Sequence, residues 1–437
     1  DYSMLSLDCD SRRRTQPLHR TILRCAALLG ACLWLILPLL VEAGSVSRIY
    51  GGAVGAMSGC FKPSFTNLGE STTYQTAGYT ILGAFALSST PVGYSPQLRA
   101  GAPFMVSFNF STLTEASATD ISASITGATY SSTSAATIDS SGDFYHISSA
   151  GGANIQALKL TGSTLIYSMT TAGATLSAQP AATIDGQNGN LYTLVQCSSG
   201  SANCDAAQAL NWQLIENNKS NGIMNLAPTY RQGPLRSDLL CNPCFMYTQD
   251  GDIYFGGQHT GAAVQLRLYR YTIATDSLTS IDLGTLPVFN PKITALFRLD
   301  GNDGTGYVAI ESDAGLYAGA QASRSYVRTD TFSESSVFLY PAADFNGTAL
   351  EHATFINTLD GCLISLRNTN SANLIQAEPG PDFAASLKNS TCISLFGVGA
   401  SCAPASAFRR GVTWARDLRE FTISLANGRI KKIGLGQ

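Results

Sequence analysis

The chain has 437 residues, of which 45% are hydrophobic and 13% are charged, and its formal net charge is -3. This hydrophobic content suffices for a sizeable core, so the composition excludes an intrinsically disordered chain. The composition also argues against a nucleic-acid partner, because phosphate binding needs clustered Lys and Arg and the chain has no long basic run. Its many small and hydroxyl-bearing residues indicate an uncharged polar surface, which suits an extracellular β-protein.

The first 43 residues have the three parts of a secretory signal peptide. Five arginines precede an uninterrupted apolar run of sixteen residues, Ala26 to Val41, and small Ala43 follows at a suitable cleavage point. A second interpretation is an uncleaved signal anchor, although sixteen residues fall short of the ~20 that cross a bilayer as a helix. Both interpretations place the rest of the chain in the secretory pathway, either secreted or on the extracellular face of the cell surface, with membrane attachment through the anchor alone.

Eight cysteines remain after residue 43, and an even number behind a signal peptide predicts disulfides. They are Cys60, Cys197, Cys204, Cys241, Cys244, Cys362, Cys392 and Cys402. Short Gly- or Ser-containing loops predict two local pairs, Cys197 with Cys204 and Cys392 with Cys402. Four N-glycosylation sequons agree with an extracellular location. They begin at Asn109, Asn218, Asn346 and Asn389.

A four-strand phrase recurs along the rest of the chain. "ATIDSSGDFYHIS" begins at Ala136, and "ATIDGQNGNLYTL" begins at Ala182; each has a strand, a Gly-containing turn and an aromatic-bearing strand. An earlier copy is indicated by the predicted hairpin at residues 104–125. Further copies begin near Cys244, Ile293, Ala353 and Gly411, at spacings of about 46 to 62 residues. These repeats predict short antiparallel meanders.

Four-stranded units at this period resemble the blades of a β-propeller, in which each small sheet covers its faces with its neighbours. The resemblance is to the architecture and covers roughly residues 77–437. It implies an all-β fold of four-stranded antiparallel blades, with seven blades favoured over six. The patterns of specific propeller families are not reproduced consistently, and a pair of β-sandwiches is the competing fold.

The last copy supplies three strands, so we expect the N-terminal segment, residues 44–76, to complete it and close the ring. Residues between about Ser45 and Phe65 are expected to pair with the strands of this last copy. If Cys241 pairs with Cys244, elimination leaves Cys60 to pair with Cys362. In the alternative, residues 45–76 are a disordered leader and Cys60 links two molecules.

Two stretches have the spacing of a chemical site. Cys241-Asn-Pro-Cys244 has redox spacing, but a redox cysteine needs a helix N-terminus and this motif leads into a predicted strand, which favours a structural disulfide. "LDGNDGTG" offers oxygen ligands for calcium from Asp300, Asn302 and Asp303. Because it lacks the downstream bidentate Glu of an EF-hand, a plain Asp-Gly turn is the favoured interpretation. We predict no other cofactor.

The remaining motifs do not indicate catalysis. His146, His259 and His352 are far apart in sequence, which argues against zinc, and the chain has no G-x-S-x-G elbow. "GVGASC", residues 397–402, is interpreted as a disulfide-closed loop. Carboxylates on different blades can still meet in the folded protein, and sequence spacing does not report that.

The sequence therefore supports two hypotheses about function. The favoured one is a secreted or cell-surface glycoprotein that acts in binding, adhesion or an extracellular layer, and uses one propeller face to bind an extracellular protein or glycan. The alternative is an extracellular polysaccharide hydrolase or lyase with its site in the central funnel. Acidic side chains that converge there with a His or Tyr would favour the enzyme.

Overall fold

The computed structural model describes most of the repeat region. The described residues are 64–81, 86–87, 92–124, 135–139, 141–149, 154–162, 164–172, 180–198, 212–225, 235–261, 263–300, 305–312, 315–318, 320–341, 351–357, 363–369, 372–378, 389–392, 409–415, 420–425 and 430–436. The predicted signal peptide lies outside them. Among the described residues, no helix has the length and apolarity needed to cross a membrane.

The described strands form seven antiparallel sheets, numbered here in chain order. Sheet 1 contains β2 (Thr80–Ile81), β3 (Ala86–Leu87), β4 (Val92–Arg99), β5 (Ala102–Asn109) and β6 (Thr114–Asp120). Sheet 2 contains β7 (Ala135–Ile138), β8 (Asp143–Ser149), β9 (Asn154–Thr161) and β10 (Thr164–Ala172). Sheet 3 contains β11 (Ala182–Asp185), β12 (Asn190–Gln196), β13 (Trp212–Asn218) and β14 (Met224–Asn225).

The second half of the chain repeats this organisation. Sheet 4 contains β15 (Leu239–Gln249), β16 (Asp252–His259), β17 (Val264–Thr272) and β18 (Ser277–Val288). Sheet 5 contains β19 (Ile293–Asp300), β20 (Gly306–Ser312), β21 (Ala320–Arg328) and β22 (Ser333–Pro341). Sheet 6 contains β23 (Glu351–Asn357), β24 (Leu363–Thr369), β25 (Ala372–Glu378) and β26 (Asn389–Cys392). Sheet 7 contains β27 (Arg409–Ala415), β28 (Glu420–Leu425), β29 (Ile430–Gly436) and, from the N-terminal side, β1 (Ser64–Ser71).

Sheets 2 to 7 each begin with an inner strand, and in sheet 1 the corresponding strand is β3. These inner strands contact one another in circular order, from β3 through β7, β11, β15, β19 and β23 to β27, which contacts β3 again. A closed circle of small antiparallel sheets is the arrangement of a β-propeller and differs from two stacked sandwiches. The predicted all-β propeller fold is thereby confirmed.

Neighbouring sheets bury their faces against each other. The second strands β8, β12, β16 and β20 are buried almost without interruption, because both of their faces are covered. The outer strands β6 and β18 retain exposed residues. One apolar cluster, for example, joins Tyr145 and Ile147 of sheet 2 to Leu191 and Val195 of sheet 3. The core therefore lies between the sheets, as separate layers around the ring.

The N-terminal strand β1 completes the last sheet. It pairs antiparallel with β29, from Ser64 opposite Gly436 to Ser71 opposite Ile430. The strand therefore begins close to where the predicted range of residues 45–65 ends. The register with β29 shifts between Asn67 and Gly69, and Leu68 at this bulge is exposed. The bulge interrupts the regular alternation of side chains along the strand.

A single helical turn, α1 (Thr73–Thr76), follows β1 and leads into sheet 1. Its Tyr74 is buried in a cluster with Val106 and Phe108 of sheet 1 and Ile430 of sheet 7. Two 3-10 turns, Ser122–Ser124 and Ile273–Thr275, complete the described helical structure. The Tyr74 cluster fastens the first sheet to the last.

Candidate functional site

A polar cleft of about 620 Å³ lies where the inner strands of sheets 2, 3 and 4 end. Its walls come from the ends of β7, β11 and β15 and from two turns of sheet 3. The lining residues are Thr137, Asp139, Ile184, Asp185, Gln187, Gly189, Lys219, Tyr247 and Thr248. The cleft thus joins three neighbouring sheets of the ring.

One lysine bridges two carboxylates in this cleft. Lys219 Nζ lies 2.9 Å from Asp139 Oδ2 and 3.0 Å from Asp185 Oδ2. All three side chains are largely buried, with exposed fractions of 18% for Lys219, 5% for Asp139 and 11% for Asp185. We call these three residues the lysine hub; with all three groups ionised it carries one net negative charge.

The repeated "ATID" phrase positions both carboxylates. Asp139 directly follows β7 and Asp185 is the last residue of β11, and each caps the next turn with Oδ1. Asp139 Oδ1 accepts the N–H groups of Ser141 and Asp143 at 2.9 and 3.0 Å, and Asp185 Oδ1 accepts that of Gln187 at 2.9 Å. Such Asx turns use one oxygen and leave Oδ2 for the lysine.

Lys219 is held through its backbone as well as through its side chain. It lies in the turn between β13 and β14, where its N–H donates to the Gly189 carbonyl oxygen at 3.0 Å. Its own carbonyl oxygen accepts the Tyr167 hydroxyl from sheet 2 at 3.1 Å. The lysine is therefore fixed between sheets 2 and 3 before any ligand arrives.

Tyr145 supports the hub from sheet 2. Its hydroxyl donates to Asp139 Oδ2 at 3.1 Å, and Lys219 Nζ lies 5.5 Å from the centre of its ring. Lys159 Nζ lies at a similar distance, 5.4 Å, but pairs with Asp143 at 2.7 Å. Lys159 therefore belongs to a neighbouring ion pair and does not line the cleft.

The electrostatics of the hub fix its protonation at neutral pH. Burial alone would raise the pKa of Asp139, but bonds from Lys219, the Asp143 N–H and Tyr145 hold that pKa below its usual value. Burial alone would lower the pKa of Lys219, but the two carboxylates raise it. Burial and the negative charge of Asp139 raise the pKa of the Tyr145 hydroxyl. Asp139 is therefore ionised, Lys219 is protonated and Tyr145 keeps its proton.

One buried hydroxyl in the cleft wall lacks a partner. Thr248 is 9% exposed, and among the described residues its Oγ1 makes no hydrogen bond. The oxygen itself has almost no solvent-accessible surface, so it is shielded from the open cleft although the residue borders it. Tyr247, the preceding residue of β15, also borders the cleft and is half-buried.

Of the candidate calcium ligands, only Asp300 is among the described residues. Asp300 is the last residue of β19, while Asn302 and Asp303 lie outside the described residues. Within the described part of the chain, no group of His, Cys, Asp and Glu residues has the arrangement of a metal site.

The sequons occupy different environments. Asn109 ends β5 and is half-buried, with its Oδ1 accepting the Ser111 and Thr112 N–H groups. Asn218 is exposed and directly precedes Lys219 at the cleft. Asn389 begins β26, and Asn346 lies outside the described residues.

The structure joins Cys241 to Cys244 by a disulfide, with 4.5 Å between their Cα atoms. The pair lies inside β15, where the register with β16 shifts between Leu240 and Phe245, so the strand begins before the motif instead of after it. Cys197 is disulfide-bonded, and Cys392 ends β26. The other cysteines with predicted partners lie outside the described residues: Cys60, Cys204, Cys362 and Cys402.

His146 and His259 do not belong to the lysine hub. His146 is fully buried in β8, and burial lowers its pKa to about 4. His259 is buried at the end of β16, with Nδ1 3.1 Å from Asp238 Oδ1. His352 lies in β23. "GVGASC", residues 397–402, lies outside the described residues.

Sequence reasoning missed the cleft residues. The repeated phrase contains Asp139 and Asp185, but only as the last residues of predicted strands, and Lys219 is the middle residue of a sequon. The useful signal was the same acidic residue at the end of two consecutive inner strands. Thr248 carries no comparable signal.

Comparisons with known proteins give a similar solved structure but no matching family. Neither a protein-family model nor a curated protein matches it. One similar solved structure is the Dos1 propeller, with 8% sequence identity and a TM-score of 0.45 over 79% of this chain and 75% of that chain. The class of protein is therefore defined by the strand pairing and the circular order of the sheets.

Proposed function

We propose that this chain is a secreted or cell-surface, disulfide-bonded glycoprotein whose seven-bladed propeller binds an extracellular glycan or protein. The binding face is the one that carries the cleft between sheets 2, 3 and 4. The observation that carries the proposal is a polar cleft whose charged groups, Lys219, Asp139 and Asp185, are fixed by contacts from two sheets.

The geometry of the cleft supports binding. Lys219 is fixed by four contacts from sheets 2 and 3, so little side-chain freedom remains to be lost when a ligand binds. Functional groups on the ends of packed strands are also held more accurately than groups on long loops. The ring of sheets thus acts as a rigid frame for a small polar site.

The extracellular part of the proposal rests on the sequence. An apolar run with a cleavage pattern, sequons and an even number of cysteines after residue 43 are typical of secreted proteins. The Cys241–Cys244 disulfide and the exposed side chain of Asn218 fit this location. A glycan on Asn218 would border the cleft, because the next residue is Lys219.

The same cleft has one feature that the hydrolase or lyase hypothesis requires. Two carboxylates and a tyrosine do converge, which is the feature that would favour an enzyme. Acid catalysis on glycosides, however, needs a carboxyl group whose pKa is raised, and the pKa of Asp139 is lowered. The raised pKa values of Lys219 and Tyr145 also make them poor bases at neutral pH. We therefore favour binding over catalysis.

The test uses the full chain expressed in a secreting eukaryotic cell. We expect it in the medium with endoglycosidase-sensitive mass, and we expect the purified protein to bind glycans or extracellular proteins on arrays. Asp185→Asn should abolish this binding. Asp282→Asn is the matched control, because it breaks an aspartate–arginine pair with Arg267 outside the cleft.

Three outcomes would contradict the proposal. Retention of the chain in the cytosol would overturn the extracellular location. Equal binding by both variants would place the ligand elsewhere on the molecule. Release of shortened saccharides from a bound polysaccharide would establish the enzyme.

A further inference from the structure

We infer that Asn218 carries an N-linked glycan whose first sugar packs against Ile223, the residue opposite Asn218 in the β13–β14 hairpin. This inference rests on the extracellular location in the proposed function, and it specifies one modification site and the surface that receives the sugar. The turn that supplies Lys219 to the cleft therefore also carries the modification.

The side chain of Asn218 is exposed, and its amide nitrogen is accessible. Its Oδ1 accepts the Ser220 N–H at 2.8 Å and the Ser220 hydroxyl at 2.6 Å. Neither of these hydrogen bonds uses Nδ2, which is the atom that receives the sugar in an Asn-x-Ser sequon. The hydrogen bonds thus hold the side chain by its oxygen and leave the reacting atom facing away from them.

The modification is a group transfer from an oligosaccharide linked to a lipid diphosphate, catalysed by a transferase of the secretory pathway. Asn218 Nδ2 forms a bond to C1 of the first N-acetylglucosamine, and the bond between C1 and the diphosphate oxygen breaks. The lipid diphosphate leaves, and the proton that Nδ2 loses passes to solvent. Nothing is oxidised or reduced, so the step needs no further reactant.

The attachment point is rigid in the folded protein. The Asn218 N–H donates to the Ile223 carbonyl oxygen at 2.9 Å, and the Gly222 N–H donates to the Asn218 carbonyl oxygen at 2.8 Å. The next residue, Lys219, is fixed by its contacts with sheets 2 and 3. Little backbone freedom therefore remains to be lost when the attached sugar packs on the protein.

Ile223 provides an apolar surface beside this point. Because Asn217 lies opposite Met224, the next pair in the hairpin is Asn218 and Ile223. Directly opposite residues of antiparallel strands have their side chains on the same face, with Cβ atoms about 5 Å apart. Ile223 is 48% exposed, and the C–H groups and acetyl methyl of an N-acetylglucosamine can remove part of this apolar area from water.

The sequon at Asn109 lacks this arrangement. Asn109 is half-buried and lies between Val92 of β4 and Thr114 of β6. The middle residue of its sequon, Phe110, is 5% exposed and belongs to the cluster around Tyr74. Asn109 therefore has a strand on each side, whereas Asn218 lies at the open end of a hairpin.

The first test maps the glycan on the full chain secreted from a eukaryotic cell. Enzymatic release of glycans in heavy-oxygen water, followed by mass spectrometry of peptides, should place the label at the Asn218 position. Ser220→Ala destroys the sequon but retains Asn218, and it should remove the mass of one glycan. Ser220→Thr is the matched control, because it keeps a sequon and should keep the glycan.

A double-mutant cycle tests the packing on Ile223. Ile223→Gln should lower the melting temperature by about 2 °C more in the glycosylated protein than in the Ser220→Ala background, because only the glycosylated protein loses the contact with the sugar. Leu286→Gln is the control: Leu286 is 40% exposed but lies near the end of β18 in sheet 4. Its effect should be equal in both backgrounds.

The outcomes separate this inference from the proposed function. An unmodified Asn218 in secreted protein that carries glycans on other sequons overturns the inference and leaves the proposed function standing. A glycan on Asn218 with equal effects of Ile223→Gln in both backgrounds overturns the packing on Ile223. Protein that stays in the cytosol without a glycan on any sequon contradicts both the inference and the proposed function.

Discussion

The sequence Ala-Thr-Ile-Asp occurs at the inner strands of both sheet 2 and sheet 3, yet its two aspartates are used differently. Asp139 makes four contacts: two backbone N–H groups reach Oδ1, and Tyr145 and Lys219 reach Oδ2. Asp185 receives one backbone N–H and Lys219. The comparison indicates that Asp139 mainly anchors the lysine, while Asp185 keeps the capacity to bind a ligand.

The turn after Asp185 is one residue longer than the turn after Asp139. This difference explains why the two aspartates have different contacts. Tyr145 stands opposite Thr137 in sheet 2, whereas in sheet 3 the position opposite Thr183 is occupied by Thr193, and Tyr192 stands one place earlier. A shift of one residue moves a side chain to the other face of a strand. Tyr145 consequently packs between sheets 2 and 3, and Tyr192 packs between sheets 3 and 4. The repeated phrase fixes the strands and the aspartates but not the tyrosines.

The largest effect is expected from removing the shared cation. Lys219→Met leaves two buried carboxylates facing each other and should lower the free energy of unfolding by about 3 kcal/mol. Lys159→Met is the control, because Lys159 is buried to a similar degree but serves one carboxylate, Asp143; we expect a loss of about 1 kcal/mol. Urea denaturation measures both, and equal losses would contradict a special role for the hub.

The two aspartates themselves should differ in the next test. Asp139→Asn should cost about 2 kcal/mol, because it removes the negative charge beside Lys219 and replaces the Oδ2 that accepts the Tyr145 hydroxyl with an amide donor. Asp185→Asn should cost about 1 kcal/mol. Thermal unfolding in parallel samples gives the order, and a larger loss for Asp185→Asn would reverse our assignment of anchor and binding residue.

A smaller difference in the free energy of unfolding is expected between variants of Tyr145 and Tyr192. Tyr145→Phe removes the hydroxyl that donates to the buried Asp139, so we expect a loss of about 1 kcal/mol. Tyr192→Phe removes a bond in which the Asn188 side-chain amide donates to the Tyr192 hydroxyl, at 3.0 Å near the surface, and should cost less than ~0.5 kcal/mol. Chemical denaturation at neutral pH would reveal the difference, and indistinguishable midpoints would count against it.

The smallest effect concerns pH. The lowered pKa of Asp139 contributes stability above the usual carboxyl pKa, and this contribution disappears as the pH falls through the lowered value. The raised pKa of Lys219 contributes stability that is lost as the pH rises above the usual lysine value. Asp139→Asn should therefore flatten the fall in denaturation midpoint below about pH 4. If the denaturation midpoint of Asp139→Asn fell at acid pH as steeply as that of wild type, Asp139 would not contribute to the loss of stability in acid.

The sequence predicted the strands well because their signals are local. Alternating apolar residues and Gly-containing turns marked the starts near Ala182 and Ile293, where β11 and β19 begin. The closing strand was harder, because a bulge beside Gly69 disturbs its alternation. The cleft was not predictable, since it depends on which side chains of three separate sheets meet. Nothing in the sequence places Lys219 beside Asp139, eighty residues earlier.

Because β1 pairs with β29, the last sheet can be completed only after almost the whole given chain has been synthesised. About 360 residues separate Ser71 from its partner Ile430. At ~5–20 residues per second, the first strand leaves the ribosome roughly 20 to 70 s before the strand that it must pair with. During that interval β1 is a free edge able to pair with other chains. The circular architecture therefore makes each newly made molecule depend on protection from its neighbours until the last sheet has been translated.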